Sequence, residues 1–200
     1  MKLYIIRHGQ TEWNLINKIQ GWKNSNLTEK GMEDARKLGE KLQKIDFDYI
    51  YTSNQGRAID TARLIRGKKK TEIIEDHDLQ EIRLSLWEGM TIDEISKVYP
   101  EDYDTYMNRP DLYKPSEGES YEDLYRRINK VLKKIISCGG KNILIVTHGV
   151  SLKIILAIIK NIPLNKLSEI PVYPGTALNI CKIKDNSLEL ILEGDTSHMD

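Results

Sequence analysis

Two histidines stand at the ends of two apolar segments, and a glycine follows each of them. His8 lies in the run L-Y-I-I-R-H-G, and His148 lies in the run I-L-I-V-T-H-G. Short apolar runs of this kind predict buried strands, and the carboxyl ends of central parallel strands border one crevice. We therefore expect His8 and His148 to be neighbours in a site where Gly9 and Gly149 allow a ligand close to the backbone.

The arginines near these histidines favour an anion over a metal ion as the ligand of this site. Arg7 adjoins His8, and a fixed guanidinium group would repel a divalent cation. The same group can bind a phosphate through paired hydrogen bonds and stays charged at any usable pH. Arg57 is expected at the start of the helix after the second strand, where a helix N-terminus also favours an anion. The pattern predicts a phosphate site without a metal.

The elements that must position these residues alternate between strands and helices along the chain. The predicted strands are 3–6, 47–52, 71–74, 142–146, 177–183 and 188–192, and the predicted helices are 29–42, 57–65, 121–135 and 151–159. Such alternation is typical of an α/β fold, here a three-layer α/β/α sandwich with a mostly parallel central sheet and right-handed crossovers. The length predicts a single domain over residues 1–200.

Local signals predict how some of these elements begin and join. Thr28 is expected to cap the first long helix, and Ser53 or Asn54 the helix that carries Arg57. Ser120 forms a capping-box pattern with the acid three residues later. The last two strands are expected to join around residues 185–186.

Two irregular segments are expected beside the site. Residues 15–27 are polar and carry Gly21 with several asparagines, which predicts a loop over the end of the first strand. Residues 82–119 mix aromatic residues, acids and prolines, and we expect them to form an inserted lid that sets specificity. A satellite layer of packed helices is an alternative for this second segment, and it is compatible with a lid.

Charge and cysteine content limit the classes of partner. Thirty basic residues balance 30 acidic ones, so no overall field favours nucleic acid or a membrane surface. The basic run at 66–70 has no aromatic residues within it and is expected to be a helix end and surface turn. Cys138 and Cys181 lack ligand spacing, and neither a signal peptide nor a long apolar span is apparent. We therefore expect a soluble cytoplasmic protein with reduced thiols.

Several short motifs resemble those of the histidine phosphatase superfamily, also called the phosphoglycerate mutase-like family. The N-terminal motif is R-H-G-Q-T-E-W-N at residues 7–14. The further motifs are L-T-E-K-G (27–31), Y-T-S (51–53), R-A-I-D-T-A (57–62), L-W-E-G (86–89), G-E-S (118–120) and T-H-G (147–149). Their order and spacing make the resemblance specific, and the chain resembles the shorter, phosphatase-type members.

The resemblance implies a covalent mechanism. His8 would be the nucleophile that forms a phosphohistidine, and Glu81, just before L-W-E-G, would be the proton donor. Arg7, Arg57 and His148 would complete the catalytic set by holding the phosphoryl oxygens. The residues expected to bind substrate are Arg7, Asn14, Gln20, Gly21, Arg57, His148 and Gly149. Neither a metal ion nor another cofactor is expected.

The favoured function is hydrolysis of a small phosphorylated metabolite by a monomer or homodimer. Within the short members the resemblance extends to broad-specificity, α-ribazole and phosphoserine phosphatases. Phosphoglycerate mutase-type phosphoryl transfer is the main alternative. A phospho-ligand binding module without turnover is a weaker one, because a nucleophile and a proton donor are both present.

Specificity is the least defined part of the pattern. The residues after Glu81 run I-R-L-S-L-W, where many family members carry an aromatic residue or histidine and a glycine. The resemblance therefore does not imply the substrate contacts of this loop. We hypothesise that Arg83, Tyr103, Arg109 or Lys114 recognises the part of the substrate beyond phosphate.

Overall fold

The computed structural model describes residues 1–184 and 187–199. Its strands are β1 (Lys2–Arg7), β2 (Tyr49–Thr52), β3 (Ile73–Glu75), β4 (Asn142–Thr147), β5 (Leu178–Lys184) and β6 (Ser187–Asp195). In these ranges six strands form one sheet in the order β3-β2-β4-β1-β5-β6. The first four in that order are parallel, and β5 and β6 pair antiparallel at one edge. The prediction of an α/β fold with a mostly parallel sheet is confirmed.

Helices cover both faces of the sheet. The α-helices are α1 (Glu12–Leu15), α2 (Glu29–Lys41), α3 (Gly56–Arg66), α4 (Ile92–Val98), α5 (Pro100–Asn108), α6 (Tyr121–Ser137) and α7 (Gly149–Lys160). Short 3-10 turns occur at His77–Leu79, Ser85–Trp87 and Leu164–Glu169. One hydrophobic core contains residues of α2 and α3, and the other contains residues of α6 and α7. Across the described ranges, no helix is both long and apolar enough to cross a membrane.

The central strand β1 contributes to both cores. Leu3 and Ile5 pack in the core that includes α6 and α7, whereas Tyr4 and Ile6 pack in the core that includes α2 and α3. A strand buried on both faces has no polar side to expose, which is why the sequence shows a continuous apolar run. β4 repeats this arrangement beside it.

The register of β1 against β4 fixes where the two histidines lie. Arg7 pairs with Thr147 as the last residue of each strand, and the His8 amide donates to the Thr147 carbonyl at 2.8 Å. His8 and His148 are therefore the first residues beyond the same edge of the sheet.

Several predicted bounds and caps differ from the structure. The strand predicted over 47–52 begins at Tyr49, and the one predicted over 71–74 begins at Ile73. The N-cap of α3 is Gln55 and not Ser53 or Asn54, and the Gln55 side chain makes no capping hydrogen bond. The Arg57 amide in the first turn donates instead to Oδ1 of Asn24 at 3.0 Å. Thr11 caps the unpredicted helix α1. The predicted turn at 185–186 lies outside the described residues.

The segment 82–119 is more regular than the sequence indicates, because it contains α4 and α5. Its aromatic side chains form a buried cluster in which the Trp87 ring lies 5.5 Å from that of Tyr106 and 5.7 Å from that of Tyr113. Tyr121, at the start of α6, extends the cluster and donates its hydroxyl to the Tyr106 carbonyl at 3.2 Å. The aromatic residues thus hold two short helices against the rest of the protein.

The predicted capping box at Ser120 gives a stability prediction. The Ser120 hydroxyl accepts the Asp123 amide at 3.2 Å, and the Asp123 carboxylate accepts the Ser120 amide at 3.1 Å. Ser120→Ala removes the cap of a long helix and should lower the free energy of unfolding by about 1 kcal/mol. Ser120→Thr retains a capping hydroxyl and should lose less. Urea denaturation of both variants measures the difference, and equal stabilities of the alanine variant and the wild type would contradict it.

Candidate active site

The carboxyl ends of β1 and β4 border a pocket of about 420 Å³. The predicted site residues that line it are Arg7, His8, Asn14, Gln20, Gly21, Arg57, Glu81 and Gly149. His148 is fully buried beside His8, with ring centroids 5.2 Å apart. The fold therefore brings together residues that lie far apart in the chain.

His8 is held in one orientation. Its Nδ1 lies 2.7 Å from the Gly9 carbonyl oxygen, and its side chain is almost completely buried. A carbonyl oxygen only accepts hydrogen bonds, so Nδ1 carries the proton of the neutral ring and Nε2 keeps its lone pair. Burial, followed by the charges of Arg57 and Arg7, holds the pKa of His8 well below its usual value. The imidazole is thus neutral at neutral pH.

The main chain of the segment 8–10 is enclosed by backbone on two sides. A Cβ atom at Gly175 would lie 2.6 Å from the His8 carbonyl oxygen, and one at Gly31 would overlap the Gln10 carbonyl. Contacts this short are not possible for a real side chain, so both positions require glycine. The Gly9 amide also donates to the Thr61 hydroxyl at 3.0 Å. The backbone that carries His8 has little room to move.

Arg57 is a charged group in the protein interior. Only 1% of its surface is exposed, and its Nη1 and Nη2 donate to the carbonyls of Lys23 at 2.7 Å and Gly21 at 2.9 Å. Burial lowers the pKa of Arg57 to about 10, so the group remains protonated at neutral pH. These bonds fix the guanidinium plane at the pocket wall.

Arg7 and His148 bring further hydrogen-bonding atoms to the same place. The Arg7 Nη1 donates to the Tyr173 carbonyl at 3.3 Å, and burial lowers its pKa. Among the described residues, Nε of Arg7, Nε of Arg57 and both ring nitrogens of His148 are buried without a hydrogen-bond partner. Buried donors normally have acceptors, and a phosphoryl group offers several acceptor oxygens. Burial also holds the pKa of His148 well below its usual value.

The Glu81 carboxylate is placed by the start of α7. It accepts the amides of Val150 at 3.0 Å, Ser151 at 3.1 Å and Ile82 at 3.0 Å. The first amides of a helix have no partner within it, so a carboxylate at this position satisfies them. The charge of Glu81 in turn raises the pKa values of Arg7 and Arg57, against the effect of burial. Glu81 therefore shares the site with both arginines.

The loop residues predicted to bind substrate have defined hydrogen bonds in the structure. Oδ1 of Asn14 accepts the Thr11 amide at 3.0 Å and the Thr11 hydroxyl at 2.9 Å, which leaves the Asn14 amide nitrogen as a donor at the pocket. Gln20 donates from Nε2 to the same hydroxyl at 2.9 Å. The Gly21 carbonyl is occupied by Arg57, so its contribution is to hold that arginine.

Gln55 and Ser151 belong to the site although the sequence analysis did not select them. Gln55 donates to the Gly21 carbonyl at 2.8 Å and accepts the Glu81 amide at 3.2 Å, so it joins the two loops. The Ser151 hydroxyl donates to the Gln80 carbonyl at 2.6 Å. The only signal in the sequence was proximity, since both residues lie two positions from a predicted arginine or glycine.

Apart from the predicted site residues, the pocket lining is mostly apolar, and we call this remainder the outer part of the pocket. Its lining includes Ile19, Ile82, Leu84, Ile92, Tyr103, Tyr106, Met107, Val150 and Val172, with Lys18 as a cation. Of the four residues predicted to recognise substrate beyond phosphate, Tyr103 alone is in the described lining. Arg83 stacks on the Trp22 ring at 5.2 Å, and Arg109 pairs with Asp111 at 3.4 Å. Lys114 is exposed elsewhere.

No metal centre is evident in the part of the chain that the structure describes: no group of three or more His, Cys, Asp or Glu side chains there could hold an ion. Arg7 and Arg57, together with Lys18, are the cationic side chains of the described pocket lining.

Comparisons with known proteins show what this chain is similar to. The family model of the histidine phosphatase superfamily (branch 1) matches residues 3–196. The solved structure of Bacillus stearothermophilus YhfR is similar, with 40% sequence identity, coverage of 100% of this chain and 99% of that chain, and a TM-score of 0.96.

Similar proteins named for an activity include a mutase and a phosphatase. The 2,3-bisphosphoglycerate-dependent phosphoglycerate mutase of Parvibaculum lavamentivorans is 34% identical over 89% of this chain and 85% of that protein. The phosphoserine phosphatase of Entamoeba histolytica, solved as a mutant in complex with phosphoserine, is 28% identical. The match covers 98% of each chain with a TM-score of 0.85.

The low pKa values of His8 and His148 predict how stability changes with pH. Below about pH 6.5 the unfolded chain binds protons at these histidines that the folded chain does not bind. Because unfolding takes up these protons, the free energy of unfolding falls as the pH falls. Above about pH 7.5 the histidines are neutral in both states, so they no longer make the free energy of unfolding depend on pH. His8→Gln removes one such group and should reduce this slope by up to about 1.4 kcal/mol per pH unit.

Urea denaturation between about pH 7.5 and about pH 5 measures the slope. His77→Gln, which removes an exposed imidazole, is the matched control. An unchanged slope in His8→Gln would show that His8 is not kept neutral by folding.

Proposed function

The chain belongs to the histidine phosphatase superfamily, branch 1, and from that premise we propose that it hydrolyses small phosphomonoesters through a phosphohistidine on His8. The observation that carries the proposal is the state of His8. Its Nδ1 proton is engaged by the Gly9 carbonyl, so the Nε2 lone pair remains beside Arg7 and Arg57. A neutral imidazole next to two fixed cations suits attack on a phosphate ester.

In the first step Nε2 of His8 attacks phosphorus, a P–N bond forms and the ester P–O bond breaks. Glu81 enters this step protonated and gives its proton to the leaving oxygen, which departs as an alcohol. It thereby becomes the carboxylate that accepts the amides of Val150 and Ser151. Arg7, Arg57 and His148 hold the nonbridging oxygens and offset the charge that develops on them. Asn14 contributes its amide nitrogen to the same group.

In the second step a water molecule attacks the phosphohistidine. Glu81, now a carboxylate, accepts a proton from that water as the P–N bond breaks, and inorganic phosphate and neutral His8 result. The same residue thus serves as acid and then as base. The arginines supply the positive charge, so the proposed cycle requires no metal ion or cofactor.

The pocket lining supports a substrate whose alcohol part is largely apolar. Apart from Arg7 and Arg57, the described lining contains one cationic side chain, that of Lys18, and one acidic side chain, that of Glu81. The ammonium group of phosphoserine would have Glu81 as its only acidic partner, and Glu81 already acts on the phosphate ester in the proposed mechanism. A bisphosphorylated acid would bring more negative charge than Lys18 can balance. An aryl or branched alkyl group would instead contact the apolar outer part.

A mutase is the second candidate, and two observations favour it. A bisphosphoglycerate-dependent mutase is among the relatives, and Lys18 offers one cation for a second anionic group. A mutase passes the phosphoryl group to an alcohol acceptor and not to water. Following ³¹P products with phosphoglycerates added as acceptors separates the two functions.

The first functional prediction concerns the nucleophile. The wild type should hydrolyse p-nitrophenyl phosphate in the presence of EDTA, and His8→Ala should lose at least about a thousandfold in kcat. The matched control His77→Ala should keep wild-type activity. Equal rates for His8→Ala and the wild type would refute the phosphohistidine mechanism, and loss of activity on adding EDTA would refute its metal independence.

The second functional prediction concerns the apolar outer pocket. Met107 lies on α5 and lines it, so Met107→Lys should lower kcat/KM for aryl phosphates by about tenfold and raise it for phosphoglycerates. Val98→Lys adds the same charge at an exposed position outside the described lining and serves as control. Steady-state kinetics gives kcat/KM for both types of substrate in each variant. If Met107→Lys changed kcat/KM for aryl phosphates and for phosphoglycerates in the same direction, an apolar specificity pocket would be contradicted.

A further inference from the structure

Arg127, on α6, has a fully occupied guanidinium group. Nε donates to Oε1 of Glu119 at 2.7 Å, and Nη2 donates to Oε2 of Glu119 and to the Glu81 carbonyl, both at 2.8 Å. Nη1 donates to the carbonyls of Asp78 at 3.0 Å and Gln80 at 2.7 Å. An arginine has five N–H donors, and here each has an acceptor.

These acceptors surround the main chain of Glu81. Two of the carbonyls, those of residues 78 and 80, lie on its N-terminal side, and the third is the carbonyl of Glu81 itself. On its C-terminal side the Arg83 amide donates to Oε2 of Glu119 at 2.9 Å. The Arg127–Glu119 pair therefore holds the backbone on both sides of one residue.

The side chain of Glu81 is held separately. Its carboxylate accepts amides of α7, whereas its carbonyl accepts Arg127 and the Trp22 indole, the latter at 2.8 Å. Backbone and carboxylate are thus fixed from different elements, α6 and α7. A proton donor needs such placement, because a displacement of about 1 Å can cost about a hundredfold in rate.

The geometry points to Arg127, with Glu119, as a positioning residue that holds Glu81 in reach of the leaving oxygen; this inference rests on the proposed function. A lysine cannot replace it, because three donors on one nitrogen cannot reach acceptors spread around a planar fork. The pair is largely buried, with 12% and 16% of the two side chains exposed. Carbonyls deprived of their donor would take new partners and carry Glu81 with them.

A role through the proton donor has a signature that a merely structural role lacks. p-Nitrophenolate is a weak base and leaves with little help, whereas phenolate is a stronger base and depends more on protonation. Misplacement of Glu81 should therefore reduce kcat/KM for phenyl phosphate more than for p-nitrophenyl phosphate. A general loss of folded protein would reduce both equally.

The experiment measures kcat/KM for both esters in the wild type, Arg127→Lys and Glu119→Gln. Arg127→Lys should lose about 10- to 100-fold on phenyl phosphate and several-fold less on p-nitrophenyl phosphate. Glu119→Gln keeps the guanidinium charge and should show the same trend more weakly. The matched control is Arg126→Lys, because Arg126 precedes Arg127 on α6 and pairs with Glu122 and Asp123 at the surface.

A double variant tests whether Arg127 acts through Glu81. In a Glu81→Gln background, Arg127→Lys should cause no further selective loss on phenyl phosphate, because effects of residues that act as a unit do not add. Equal losses on both esters, or an undiminished effect in that background, would overturn the positioning role.

Two further outcomes are decisive. If Arg127→Lys does not fold, the ratio of the two kcat/KM values in Glu119→Gln decides, and an unchanged ratio overturns the inference. If the wild type hydrolyses neither ester, the proposed function fails and this inference fails with it. If the wild type hydrolyses both esters but Arg127→Lys loses equally on both, only the positioning role is overturned and the proposed function stands.

Discussion

The guanidinium groups of the buried Arg57 and the half-buried Arg7 are the constraint on which the site depends. Charged groups are costly to bury unless their hydrogen bonds are satisfied, and here backbone carbonyls of residues 21, 23 and 173 accept from Arg57 and Arg7. Burial, followed by these two charges, lowers the pKa of His8. The guanidinium groups that line the pocket therefore also help to keep the adjacent imidazole neutral.

The sheet makes this arrangement compact. Because β1 and β4 end in register, His8 after β1 and His148 after β4 lie at the same edge of the sheet. α7 begins directly after β4, so its free amides face the loop that carries Glu81. The end of β4 is thus followed by the buried imidazole of His148 and by the amides that hold the Glu81 carboxylate.

The sequence predicted those parts of the fold and site that leave local signals. Continuous apolar runs identified β1 and β4, and their ends indicated the proximity of His8 and His148. Gln55 and Arg127 left no such signal, since each acts on main-chain atoms of residues at least 26 positions away. α4 is seven residues long and is followed closely by Pro100, so its helical period was too short to recognise.

The glycines at positions 31 and 175 also limit how the protein can change. Because backbone encloses the segment 8–10 on both sides, its shape cannot be adjusted by substitutions at these two contacts. No backbone contact of this kind restricts Met107, which is half-exposed and lines the outer part of the pocket from α5. New substrate preferences, in evolution or in laboratory libraries, should therefore arise on the outer wall while the end of the pocket that holds His8 stays unchanged.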